Sequence, residues 1–246
     1  MAFYVYGYTT MTSGKLGQHS FYSLLGTLLV FFTALSAHAQ VPYSICGSLE
    51  NGYGPYDART DHAKLPIVLS YHFTPAIENL IEGTTRSLLG GELDYTLRAI
   101  PNYPRALIAM TRLAERQKTD KPRDARYSVD CWFQRAIRFR PDDAIVRMIY
   151  STYLNSKKRV ADANAQLEAA TAYAKDNGFT HYNIGLHYFD LKNYDKALVQ
   201  AHKAIALEFT RTELKTQLVG VGKWTEPVEV PASSAPAADD PVGQPK

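Results

Sequence analysis

The chain has 246 residues, 46% of them hydrophobic, with 27 basic and 24 acidic side chains and a net charge of +3 at neutral pH. That apolar content is ample for a packed core, and the near-balance of charge excludes the basic stripe on which a nucleic-acid partner depends. No GxSxG, HExxH, Walker or dinucleotide motif occurs, so neither an enzyme nor a cofactor- or metal-dependent protein is expected.

The first 39 residues read as a secretory signal. Lys15 and His19 precede the apolar run Phe21–Leu35, and Ala37-His38-Ala39 supplies the small-x-small pattern that signal peptidase cuts. Cleavage after Ala39 removes one lysine and no acid, leaving a mature chain of net charge +2. Residues 1–10 carry no charge, so Met11 is an alternative start. The run is shorter than the roughly 20 residues a bilayer demands, so the mature chain is expected to have no transmembrane span and to reside in the periplasm. An uncleaved anchor is the competing reading. Tyr43-Ser44-Ile45 lacks the small residue that precedes a lipoprotein cysteine.

Residues 40–69 form a loop-rich segment with turn signals at Asn51-Gly52 and Gly54-Pro55. Asp57, Arg59, Asp61 and His62 crowd one stretch of it. Two readings stand. Asp57, Asp61 and His62 ligate a metal or belong to a small-molecule loop, although their spacing fits no calcium or zinc pattern. Alternatively the loop packs over the first helices, its charges solvated or paired and Tyr53 and Tyr56 covering apolar surface. Two cysteines remain after cleavage, Cys46 and Cys131. In an oxidising compartment they favour a disulfide over two buried thiols. Closing that 85-residue separation stabilises by roughly 4 kcal/mol.

Residues 70–103 carry Phe73, Ala76, Ile77 and Leu80 at helical spacing, with Thr74-Pro75 as an N-cap and first-turn proline. Gly90-Gly91 interrupts the next expected helix, which makes this a degenerate unit or a cap. A helix is predicted over Pro104–Gln117, followed by a loop at Thr119–Asp124 and a second helix around Cys131-Trp132-Phe133. Arg135, Arg138 and Arg140 on that helix are expected to form a solvated face. The next helices fall within 144–177 and 178–211. There His181, His187 and His202 take surface or junction positions. A closing helix is predicted over Thr212–Trp224, and a tail over 225–246 whose Pro, Ala, Ser, Val and Asp content cannot bury a core.

One spacing recurs. His181-x-x-Ile184-Gly185-x-x-Tyr188 is followed by Ala197 and Ala204; one period earlier stand Tyr150, Ser151 and Leu154, then Ala163 and Ala170; before those come Phe133, Ala136 and Pro141. The pattern resembles the tetratricopeptide-repeat family, in which antiparallel helix pairs of about 34 residues stack through small side chains. The resemblance spans 104–211 as three repeats, and departs from the family pattern at His181, Ala201 and Phe209, which hold places common for Trp, an aromatic residue and Pro.

The resemblance implies an all-α array, an α-solenoid whose first helices line a concave groove. The groove positions implied are Arg105, Ile108, Arg112, Glu115 and Arg116 in the first repeat. Ile145, Met148, Thr152, Asn155 and Ser156 follow in the second, and Phe179, Tyr182, Leu186, Phe189 and Asp190 in the third. Such a groove is cationic at one end and aromatic at the other. The family then implies an exported scaffold or adaptor that binds a protein or peptide segment of a cell-envelope complex. Two alternatives are a permanent structural subunit of such a complex and a ligand-binding module built on the loop at Gly52–His62.

Overall fold

The structure, a computed structural model, describes residues 46–84 and 88–227. The predicted signal and the tail beyond residue 227 lie outside them. The described residues are all-helical, with no strand. Helices α1 (Leu65–His72), α2 (Pro75–Glu78) and α3 (Leu89–Ala99) precede α4 (Pro104–Gln117) and α5 (Val129–Phe139). Then come α6 (Ala144–Ser156), α7 (Val160–Ala174), α8 (Gly178–Asp190), α9 (Tyr194–Ala206) and α10 (Glu213–Gly220). No helix among the described residues is long and apolar enough to cross a membrane.

The boundaries follow local chemistry. Proline opens α4, where its missing N–H leaves no bond unmade. Asp143 caps α6 by accepting from the N–H groups of Ile145 and Val146, and Asn177 caps α8 by accepting from Thr180 N. Thr74 caps α2 as predicted. The stretch after α4, α6 and α8 turns on a residue in the left-handed region: Lys118 (φ 52°), Lys158 (φ 61°) and Lys192 (φ 59°). These positions suit glycine best.

Turns of three residues fold α6 onto α7 and α8 onto α9 as helical hairpins. Helix α6 also packs on α4, α5 and α8, and α8 on α7 and α10. Ala163, Ala170, Ala197 and Ala204 are buried at these contacts, where small side chains let the axes approach. Gly185 serves the same end: a Cβ there would stand 3.2 Å from Gln200 Cβ on α9 and 2.4 Å from Leu214 Cδ2 on α10. One core runs from Phe73 through Trp132, Phe133 and Tyr150 to Ala163; a second joins Met148, Leu167, Tyr188 and Leu218.

Several sequence expectations change. Gly90-Gly91 does not interrupt a helix; α3 runs through both residues. Glycine is needed at 90 because a Cβ would fall 1.9 Å from the Arg123 carbonyl oxygen, in the loop between α4 and α5. The loop-rich segment ends earlier than residue 69, since α1 begins at Leu65 with Pro66 in its first turn. The closing helix is shorter than 212–224: α10 stops at Gly220 and Gly222 (φ 67°) turns the chain back over α9. There Trp224 packs edge-on against His202, whose Nε2 donates to Thr225 O at 2.8 Å. Of the surface and junction positions expected for the histidines, His181 takes a buried junction. Its Nε2 donates to the Lys175 carbonyl and its Nδ1 meets the Gln200 side chain, each at 2.7 Å. His72 stacks on Tyr95 and meets the buried Glu92 carboxylate at 2.7 Å.

The arginine row on α5 is not a solvated face. Arg135 is 1% exposed, and its guanidinium donates to the carbonyls of Cys46 (2.9 Å) and Ser48 (2.6 Å). Burial lowers its pKa, and the Tyr127 ring 4.9 Å away offers the cation a π face. Arg138 donates to Gly47 O at 2.5 Å, and Arg140 to Asp57 at 2.5 Å. All three hold the N-terminal segment down. Cys46 and Cys131 lie at disulfide distance, their sulfurs 2.14 Å apart, and fasten the same segment to α5. Tyr53 and Tyr56 cover Leu65, Val68, Ala99 and Ile100, the Tyr53 hydroxyl remaining exposed and donating to Lys64 O.

Asp57 is the centre of this attachment. It is 1% exposed, and its carboxylate accepts from the backbone and guanidinium of Arg59, from Asn102 (2.7 Å) and from Arg140. Asn102 donates onward to Asp143 at 2.9 Å, so one network joins the loop, the α3–α4 turn and the α5–α6 turn. Burial by itself raises the Asp57 pKa; the hydrogen bonds from Arg59, Asn102 and Arg140 outweigh it and hold the carboxyl well below the usual carboxylate range. Asp61 bonds the Asp57 N–H at 2.7 Å, and His62 is exposed. Their side chains do not converge with Asp57 on a common ligand.

Candidate docking groove

A cavity of about 470 Å³ opens between α4, α6 and α8. Ile108, Thr111, Arg112 and Glu115 of α4 form one wall, Ile149, Thr152, Tyr153 and Ser156 of α6 the floor, and His187 of α8 the far side. Every fourth residue of a helix returns to nearly the same face, which is why Ile108, Arg112 and Glu115 share one wall and Ile149, Thr152, Tyr153 and Ser156 share another. The hydroxyls of Thr111 and Ser156 donate to carbonyls of their own helices, leaving lone pairs open to a guest. His187 Nδ1 lies 3.2 Å from Thr152 Oγ1, across the α6–α8 contact. Burial pushes the His187 pKa down, against the opposing pull of Asp190.

The electrostatics rest on α4. Arg105 is tied to Glu78, with its Nε 2.6 Å from the carboxylate. Arg116 donates to Leu80 O at 2.6 Å. Arg112, between them in sequence, is exposed and makes no hydrogen bond or ion pair among the described residues. Of the three arginines expected at the cationic end, one is uncommitted.

The structure brings Ile108 and Arg112 to this cavity together with Glu115, Thr152 and Ser156. It takes Met148 and Tyr182 elsewhere. Met148 is buried in the second core, and Tyr182 is buried beneath α10, its hydroxyl donating to Glu213 at 2.8 Å. Leu186 and Phe189 are half-buried against that core. Asn155 is half-buried, and Asp190 is exposed. The expected aromatic end is therefore core packing, except for Phe179, which is 53% exposed and meets Phe209 edge-on. Thr111, Ile149, Tyr153 and His187 were missed. They flank the assigned positions at helical spacing, so a wider apolar stripe drawn along α4 and α6 includes the first three.

No protein-family model, curated protein or solved structure matches this chain. What the fold and cavity define, among the described residues, is an all-helical arrangement of packed helical hairpins with an open groove between alternate helices.

Proposed function

We propose that the chain is an exported scaffold or adaptor of tetratricopeptide-repeat type, whose α4–α6–α8 groove receives an extended or helical segment of another cell-envelope protein. The observation that carries this reading is the groove. Five of its lining residues, Ile108, Arg112, Glu115, Thr152 and Ser156, occupy positions the repeat pattern assigns to a concave surface. Tyr153 on the floor and one uncommitted arginine on the wall are residue types that dominate interface energies. Export and a periplasmic residence are supported by the signal-like sequence before Gln40 and by the Cys46–Cys131 pair at disulfide distance.

The test is capture from the native envelope with the mature chain as bait, beside Thr152→Trp, which fills the groove without touching the core, and Arg112→Glu. One prey protein should be retained by the natural chain and reduced at least about tenfold by either variant, the loss of roughly 1.4 kcal/mol. Equal capture by all three proteins, with matching circular dichroism, would remove the groove from the function.

A further inference from the structure

The charge of the chain is unevenly divided. Residues 228–246 contain Glu229, Asp239, Asp240 and Lys246, a net −2, while residues 40–227 carry +4. On the groove wall, Arg112 is the arginine of α4 left without a partner among the described residues. We propose that residues 228–246 are the resting occupant of the groove, with the Asp239-Asp240 carboxylates on the Arg112 guanidinium. This rests on the groove reading above and adds regulation to it: an incoming partner must displace the chain's own tail.

Reach permits it. The described chain ends at Pro227, just past the contact of Thr225 with His202 on α9. Asp239 stands twelve residue steps beyond Pro227, a span of about 37 Å at the roughly 3.1 Å per residue of a proline-rich extended chain. From α9 the groove is reached by way of α8 and α6 to α4, helices in successive contact. Three axis spacings of 8–10 Å come to about 30 Å. Composition suits the path. Pro231 and Pro236 favour an extended chain, and the alanines and serines between Pro231 and Asp239 are small enough to lie over Thr152 and Ile149. Glu115 stands one turn beyond Arg112 on α4 and repels carboxylates, which sets the acidic pair at Arg112 and no further along.

A photocrosslinker placed at the exposed Ile108, as Ile108→p-benzoylphenylalanine in the full chain, reports what lies in the groove by mass spectrometry. The expected products are intramolecular links to 228–246. They should fall about fivefold in Arg112→Glu, the effect of one exposed ion pair, and return when Asp239→Lys and Asp240→Lys are added to that variant. Absence of links to 228–246, links indifferent to Arg112→Glu, or links that vanish on dilution and so come from a second copy, would each overturn the proposal. The same probe in the native envelope separates the two readings. Links to another protein with none to the tail leave the groove reading intact and end this one, whereas no link to either ends both.

Discussion

Replacing Asp57 by alanine removes the anion on which two arginines and an asparagine converge. The carboxylate is 1% exposed, so the natural protein carries a desolvated charge whose compensation comes from Arg59, Arg140 and Asn102. Breaking a buried pair from one side costs about 3–5 kcal/mol. The arginine side chains are 35% and 39% exposed and regain water, and Arg59 keeps Asp142 at 3.0 Å. The loss should therefore fall near the lower end, about 3 kcal/mol, or a drop in Tm of about 6–12 °C for a domain of this size. The assay is urea unfolding followed by circular dichroism with the disulfide intact. The pH dependence supplies an independent check. The folded pKa of Asp57 lies below its unfolded value of 3.8, so its contribution is complete above that value and is lost as pH falls below it. The gap between natural protein and variant should thus be full at pH 7 and shrink as pH falls from about 5 toward 2. A gap under about 1 kcal/mol at pH 7, or one that stays constant into acid, would refute the account of Asp57 as the buried anchor of the loop.

Two further predictions test the backbone. Gly90→Ala should destabilise by about 2 kcal/mol or more despite alanine's better helix propensity, because the new methyl meets the Arg123 carbonyl; Gly220→Ala, with nothing within 4 Å of its Cβ, should be neutral or stabilising in the same urea titration. Lys158→Gly and Lys192→Gly relieve left-handed backbone and should each raise stability by about 0.5–1 kcal/mol. A fall in Tm for both would show that the lysine side chains contribute more than their backbone strain subtracts.

The sequence was most legible where the cause of a structure lies near it along the chain. Pro104 announces α4, Thr74-Pro75 announces α2, and the spacing of Ala163, Ala170, Ala197 and Ala204 marks the tight faces of the two hairpins. The cysteine pairing was expected from a count of two beside a signal-like sequence, and the two sulfurs do lie at disulfide distance. Legibility ended where the partner is remote. Arg135, Arg138 and Arg140 have the period of a solvated helix face, and nothing local shows that carbonyls at residues 46–48 and the carboxylate of Asp57 will cover them. Gly90 looked like a helix breaker because the loop carbonyl that requires it stands 33 residues away. In the groove, the positions implied by the repeat resemblance included Ile108, Arg112 and Thr152, yet the resemblance could not show that α10 would seal Tyr182 beneath it.

The link between Cys46 and Cys131 has a mechanical meaning. Helices α1 to α4 lie wholly inside the covalent ring it closes. Tension applied between the two ends of the chain passes across the sulfurs and bypasses those helices, so about 290 Å of contour, 85 residues at roughly 3.4 Å each, stays out of reach of the pull until the bond is reduced. A chain built this way extends under load only through α5 to α10, and keeps α1–α4 folded while the rest is drawn out.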